Sequence, residues 1–379
     1  MKRSLFILVT IKKVEAHLRR MEFIASIIEK NYSVTKIVVE DQGKLRRFID
    51  AMRIYKTIIS QRPEIIYVIE PWIWATPKIL RFFGVKKVIY QSGNVNYDVF
   101  RTLGKSKIIV FLMKFIEVSY IKNSNVIFSE SVSLIKFFRA LRQRNYVLYV
   151  PEEFDLMRYA FRPLISSHKK KEVNNAITIG FTAAIHKIQL YGKLVPRGWE
   201  IPQVINRLRT LSSQEFHAKI IGSGNGINLL EEEVRVSGFG DKIELYGFVS
   251  EDEKLDILSG CDVGFSEDYT NFLTHEYNLS HKIMEYMCLG LPVVSGNQGD
   301  KGQFIEKMKL CGRVIDPLED NRIIDSEKYI DRIAFAVLDL INNKEAYETC
   351  RYNALQTASK FFDSRQISKL VLNVFTYLL

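Results

Sequence analysis

The feature that most limits what this chain can fold into is an alternation of Val/Ile-rich runs with helical patterns, broken once and then resumed. Strand-like runs stand at 4–10 (SLFILVT), 34–39, 64–70 (EIIYVIE), 86–91, 125–129 and 145–150. Helical spacing fills 14–30, 44–60, 75–83, 98–122 and 131–142. Runs that are apolar throughout suit strands covered on both faces, so the pattern predicts a parallel sheet between two layers of helices. The polar, basic segment FRPLISSHKKKEVNNA (161–176) interrupts the alternation and reads as a linker. Strands then resume at 176–182, 217–224, 242–249, 261–266, 291–295 and 312–317. The helices between them start near 201 and cover 227–237, 251–258 and the stretch SHKIMEYM. Long helical patterns at 325–342, 344–361 and 364–379 close the chain. A length of 379 residues accommodates two such domains. The expected fold class is α/β, with two tandem doubly wound Rossmann-like domains, 1–160 and 161–363, facing a cleft. In such sheets ligands bind at the carboxyl ends of the strands.

With 47% hydrophobic and 26% charged residues, the chain has material for packed cores and not for disorder. Its net charge of +11 is uneven, about +17 over 1–180 and about −6 over the rest. A basic first half suits an anionic membrane, a polyphosphate ligand, nucleic acid, or simply a solvated lysine-rich surface. The stretch RTLGKSKIIVFLMKFIEVSYIK (101–122) has the composition of a membrane-surface helix, though the apolar part of 108–119 would equally serve a core. Cys261, Cys288, Cys311 and Cys350 lack C-x-x-C spacing, which argues for reduced buried thiols and against a disulfide framework or metal site. The opening MKRSLFILVTIKK reads as a first strand rather than a signal sequence, because Lys12 and Lys13 close the apolar run early. No run approaches the roughly 20 apolar residues that span a bilayer. The expected location is cytoplasmic, with peripheral attachment at the inner face of the cell membrane.

Three stretches carry candidate chemistry. IIGSGNG (220–226) stands between a strand and a helix, but its glycines, Gly222, Gly224 and Gly226, do not keep dinucleotide spacing, so it reads as a tight turn near a ligand. In YGFVSEDEKLDIL (246–258), Ser250 and Glu253 form a capping box, and Gly247 leaves room for a flat ring beside Phe248 and Val249. SHKIMEYMCLGLPVV (280–294) is an amphipathic helix stopped by Gly290 and Pro292, followed by a buried strand. Lys282 and Glu285 in its first turns are either an ordinary i,i+3 pair or ligand contacts.

This last stretch, with AKIIGSG, IELYGFVSEDE and LSGCDVGFSED preceding it in order, resembles the family-4-like retaining glycosyltransferases of the GT-B fold. The resemblance covers most of 176–317, and the first half matches only in layout. It implies that 161–363 binds a nucleotide-sugar and 1–160 an acceptor, with the helix at about 364–379 crossing back to the first domain. It implies that Glu285 accepts the ribose hydroxyls, as a carboxylate can from two donors at once. Gly222, Gly224, Gly247, Phe248, Val249 and Tyr286 would be further nucleotide contacts. Arg197, Lys193 and Lys282 would stabilise the leaving diphosphate beside a helix N-terminus, and Glu276 would contact the donor. No cofactor and no metal is expected, the nucleotide-sugar being a substrate. The family's glycine-rich first loop is absent here, and Gly93 and Asn94 replace the usual His and Asp, so the acceptor contacts do not carry over. His17 is an open position between function and helix face. The implied reaction moves a sugar from UDP or GDP to a sugar, polyprenyl-linked or lipid acceptor. A binding protein without turnover, a nucleotide-sugar epimerase and a basic nucleic-acid-binding protein are the alternatives.

Overall fold

The structure, a computed structural model, describes residues 4–11, 15–39, 43–93, 95–102, 104–141, 146–160, 176–267, 279–297, 299–302, 304–305, 311–319 and 322–379. Two compact units divide the chain. The first comprises Met1–Glu153 and Ser364–Leu379, the second Phe154–His275 and Leu279–Asp363.

The first unit holds β1 (Ser4–Ile11), α1 (Glu15–Ile28), β2 (Ser33–Val39), α2 (Gly43–Gln61) and β3 (Ile65–Ile69). It continues through α3 (Pro77–Phe82), β4 (Lys87–Ser92), α4 (Asn96–Thr102), α5 (Lys107–Asn123), β5 (Val126–Ser129), α6 (Val132–Leu141) and β6 (Tyr146–Tyr149). Its six strands are all parallel, in the order β2-β1-β3-β4-β5-β6. Strand alternation divides its core in two. Ile66, Val68, Val88, Tyr90 and Ile127 face one layer, with Ile54, Ile58, Leu80, Tyr120 and Phe138. Ile65, Tyr67, Ile69, Ile89 and Phe128 face the other, with Met21, Ile24, Ile28 and three residues of the final helix, Ile367, Val371 and Phe375. The continuous apolar runs therefore do what their composition requires, covering both faces.

The second unit begins with α7 (Leu156–Ala160) and β7 (Ile177–Thr182), then β8 (Lys187–Leu190), β9 (Lys193–Pro196), α8 (Glu200–Leu211), β10 (Phe216–Ile221), α9 (Ile227–Ser237), β11 (Ile243–Leu245) and α10 (Glu251–Ser259). It ends with β12 (Val263–Ser266), α11 (His281–Cys288), β13 (Val293–Gly296), the one-turn α12 (Asp300–Gly302), β14 (Gly312–Ile315), α13 (Ser326–Asn342) and α14 (Lys344–Phe361). The sheet order is β11-β10-β7-β12-β13-β14, again parallel throughout. The last helix, α15 (Ser364–Leu378), belongs to the first unit and packs on α1. The expected doubly wound pair of sheets, with a returning terminal helix, is thus the observed fold. Among the described residues no helix is long and apolar enough to cross a membrane.

Two local expectations fail. The helix expected over 98–122 is two helices, because Gly104 adopts a left-handed backbone (φ 67°) and Ser106 caps α5 by accepting from Ile109 N. Between the strand expected at 176–182 and the helix expected from about 201, where no element is expected, stands an antiparallel hairpin, β8–β9, turned at Tyr191 and Gly192, both with positive φ (49° and 74°). The linker expected at 161–176 lies almost wholly outside the described residues.

Candidate functional site

In the second sheet, chain order grows outward from β7 in one direction, then returns to β12 and grows in the other. The gap between the carboxyl ends of β7 and β12 is therefore a topological switch point, where an open α/β sheet forms a crevice. Phe181 and Thr182 end β7, and Glu267 follows β12 directly.

The close packing of α11 brings its side chains here. Tyr286 lies flat against Gly264 of β12, where any Cβ would overlap the ring. Its hydroxyl donates to Phe265 O (3.1 Å) and accepts from Thr182 N (3.1 Å). Tyr286 thus ties together the ends of the two strands that flank the switch point. Its side chain is wholly buried.

With that register fixed, Lys282 and Glu285 point to different partners and form no pair with each other. Lys282 Nζ donates to Glu267 Oε2 (2.5 Å) and sits 4.5 Å from the centre of the Phe181 ring. Arg197, from the step after β9, donates to Glu267 Oε1 through Nε (2.9 Å) and Nη2. Lys301 Nζ, from α12, donates to the Glu267 backbone carbonyl (3.3 Å). Burial works against the Glu267 carboxylate, but Lys282, Arg197 and Lys301 together outweigh it and hold the group down at about 2. Burial lowers the Lys282 ammonium, opposed chiefly by Glu267.

Glu285, one turn further along α11, is 1% exposed. Its Oε1 accepts from Lys254 of α10 (2.5 Å) and lies 3.6 Å from His281 Nδ1. Burial opposes its ionised form, and His281 and Lys254 overcome that, leaving the carboxyl below its ordinary range. Lys254 also meets Glu251 (2.9 Å) at the start of α10, whose N-cap Ser250 accepts from Glu253 N as its capping box requires.

The glycine loops adjoin this edge. Gly222 N donates to Gly247 O (2.8 Å), joining 222–226 to 247–250. Gly222 and Gly224 have φ 139° and 154°, and a Cβ on either would overlap the backbone carbonyls of Ala183 and Ile185. The turn's glycines therefore admit the 183–186 backbone. Phe248, beside Val249, is 87% exposed.

The structure brings Arg197 and Lys282 together, and it brings Gly222 and Gly247 together, while Lys193 stands exposed on β9 apart from the Glu267 cations. Glu276 lies outside the described residues. Three residues of the cluster escape a reading by motif. Glu267, Lys254 and Lys301 have partners 15 to 70, 31 and 34 positions away. The one local signal was a carboxylate set directly after a short, fully buried strand at a switch point.

Residues 191–357 match the family model described as glycosyl transferases group 1. No curated protein matches the chain significantly. Among solved structures, Anabaena HepE in complex with UDP is 15% identical with a TM-score of 0.69, covering 98% of this chain and 100% of that one. Sucrose-phosphate synthase from Thermosynechococcus elongatus is 11% identical with a TM-score of 0.70, covering 99% of both chains. WaaG, a glycosyltransferase involved in lipopolysaccharide biosynthesis, is 10% identical with a TM-score of 0.63, covering 97% and 99%. Those likenesses establish the fold along the whole length, and the family match lies in the second unit. Over residues 191–357 the chain is similar to the glycosyl transferases of group 1, and over its whole length it has the GT-B fold expected from its resemblance to the family-4-like glycosyltransferases.

Proposed function

We propose that this glycosyltransferase takes a UDP-sugar into the second unit and transfers the sugar, with retention, to an acceptor hydroxyl bound by the first unit. The observation that carries the proposal is the convergence of Arg197 and Lys282 at the switch-point crevice, with Glu285 buried one turn away on the same helix. Glu285 accepts the ribose hydroxyls through Oε2, since Lys254 and His281 meet Oε1. Phe248, past Gly247, offers an exposed apolar surface for the base beside the half-buried Val249. Arg197 and Lys282 face the diphosphate, beside the first N–H groups of α11. As the bond from the anomeric carbon to the diphosphate breaks, those cations hold the charge that gathers on the phosphate. The acceptor oxygen takes that bond, and its proton leaves with the phosphate. UDP is favoured over GDP because the Anabaena relative of this fold was solved with UDP.

A thermal-shift panel of UDP, GDP, ADP and a short single-stranded DNA tests this reading on wild type and Glu285→Ala. A UDP shift lost in Glu285→Ala is expected. Equal shifts in both proteins, or a shift with DNA alone, would overturn it. Product analysis with a UDP-sugar then separates transfer from epimerisation and from binding without turnover.

The acceptor side is proposed to work at an anionic membrane surface, as in polysaccharide or glycolipid assembly at the inner face of the cell membrane. The support is α5. Its later half, at Ile116, Tyr120 and Ile121, is core, while Ile108, Phe111, Leu112 and Phe115 in its earlier half are exposed at 73%, 68%, 47% and 70%. Arg101, Lys105, Lys107 and Lys114 accompany that apolar surface, and no acidic residue occurs over 99–116. Exposed apolar area on a stretch whose charges are all cationic matches an anionic lipid interface. Co-sedimentation with phosphatidylglycerol vesicles at low salt is expected, and no pelleting would sink the idea.

A further inference from the structure

We infer that His17 hydrogen-bonds the sugar-accepting substrate through Nδ1, and that the group it meets there is a hydroxyl of an uncharged sugar ring. The inference rests on reading the first unit as the acceptor site. It gives that site a residue and a ligand class.

From β1 the chain adds β2 on one side, then crosses back to β3 and grows away on the other. The switch point of the first sheet therefore lies between the carboxyl ends of β1 and β3. One polar side chain stands on each side of it. His17 is in the first turn of α1, which follows β1, and Glu70 follows β3 directly. The two face each other, with His17 Nε2 3.8 Å from Glu70 Oε1. Neighbouring polar groups have partners within the protein. Glu117 of α5 accepts from the first backbone N–H groups of α4, at Asn96 (3.0 Å) and Tyr97 (3.2 Å). Glu130, after β5, accepts from Gln91, and Glu70 Oε2 accepts from Asn96 Nδ2 (2.5 Å). His17 Nδ1 differs. It is buried and has no hydrogen-bond partner among the described residues. A buried ring nitrogen left unpaired forfeits the bond it would make in water, so it calls for a partner from outside the chain.

The surroundings of the ring say what that partner is. A hydroxyl both donates and accepts, so it satisfies Nδ1 in either tautomer. Burial lowers the basicity of His17, so the ring is neutral at pH 7 and offers an anion no charge. Glu70 and Glu130 both close on Gly93. Its backbone N–H supports Glu70, and a Cβ on it would overlap Glu130 Oε2. Carboxyl oxygens accept from further hydroxyls, whereas a phosphate or carboxylate brings like charge beside them. Several hydroxyls on one uncharged ring, as on a sugar, match this edge.

Saturation-transfer NMR tests this on wild type, His17→Phe and His17→Asn, each with UDP present. The probes are glucose, galactose, mannose and N-acetylglucosamine, with the 6-phosphate of each. Wild type is expected to bind at least one of the neutral sugars, and to bind its 6-phosphate more weakly. His17→Phe keeps a ring but neither nitrogen, and should weaken that sugar roughly tenfold, the worth of one well-made hydrogen bond, with UDP affinity unchanged. His17→Asn sets an amide near the place of Nδ1 and should recover most of the loss, which a ring needed only for packing would not allow. Equal sugar binding in wild type and His17→Phe would show that Nδ1 holds only a water. A parallel loss of sugar and UDP would show that His17 is scaffold, and equal or tighter binding of the 6-phosphate would show that the edge accepts anions. Each of these overturns the inference, as does a wild type that binds none of the four sugars. Should UDP fail to bind while sugar binding still follows His17, the donor reading fails and this inference stands.

Discussion

Glu70 follows β3 directly in a left-handed backbone conformation (φ 65°), which costs a non-glycine residue about 1–2 kcal/mol. Its carboxylate accepts from Asn96 Nδ2 (2.5 Å) and lies 3.8 Å from His17 Nε2, with His17 set on α1. His17 thus faces a buried acid rather than open solvent, and burial lowers its own basicity. Burial also raises the Glu70 carboxyl to about 8, helped by Glu130 and Glu117 and opposed by Asn96 and the Gly93 backbone. The sign of the linkage follows. Folded Glu70 keeps its proton above the pH at which the unfolded chain loses it, so this group lowers stability as pH rises from about 4.5 to about 8, by at most about 1.4 kcal/mol per pH unit. Glu70→Gln removes that titration. Urea midpoints measured from pH 5 to 9 should show the variant gaining on wild type up to about pH 8 and running parallel above it. Glu267 has the opposite sign. Its depressed carboxyl contributes stability that is present above about 4.5 and lost as pH falls towards about 2.

Among elements, α11 shows how much of the site is packing. Its position against the sheet depends on Gly264, so Gly264→Ala should push Tyr286 away and destabilise the second unit by about 1–3 kcal/mol. Donor affinity should fall with it, because Lys282 and Glu285 ride on the same helix, and urea unfolding with a UDP titration checks both. Helix α10 offers a milder test, in which Ser250→Ala removes the N-cap and costs about 1 kcal/mol while leaving the exposed Phe248 in place. What the sequence disclosed at this scale was periodicity. Strands buried on both faces read as unbroken apolar runs, and Ser250, Gly290 and Pro292 marked helix ends by their own chemistry. The β8–β9 hairpin stayed hidden because its strands are four residues each and alternate weakly, with a Tyr–Gly turn instead of the stronger Asn–Gly signal. The partners of Lys282 and Glu285 stayed hidden for another reason. Spacing on one helix left a mutual pair open, but side-chain direction is set by how the helix sits on the sheet, which contacts such as Tyr286–Gly264 fix.

At the scale of the whole molecule, the order of the chain and the order of its cores disagree. The last helix, α15, follows the second unit in sequence yet completes the core of the first. Ile367, Val371 and Phe375 are 3%, 0% and 0% exposed there, and the Phe375 ring meets Tyr67 at 6.3 Å. Each buried side chain of this size contributes about 1.5–3 kcal/mol, so losing three removes several kcal/mol from a unit whose total stability is on the order of 5–15 kcal/mol. Truncation after Asp363 should therefore unfold the first unit or leave it barely folded, while the second unit keeps its own core around Phe181, Val204, Phe216 and Val337. Scanning calorimetry in the presence and absence of UDP makes the two units distinguishable, since a ligand raises only the transition of the unit that binds it. In the truncated chain the UDP-sensitive transition should survive at close to its full-length midpoint, and the UDP-insensitive one should vanish or fall by well over 10 °C, the scale set by several kcal/mol in a domain of this size. Loss of the UDP-sensitive transition instead would show that the second unit depends on α15. Two unchanged transitions would show that α15 contributes little to either core.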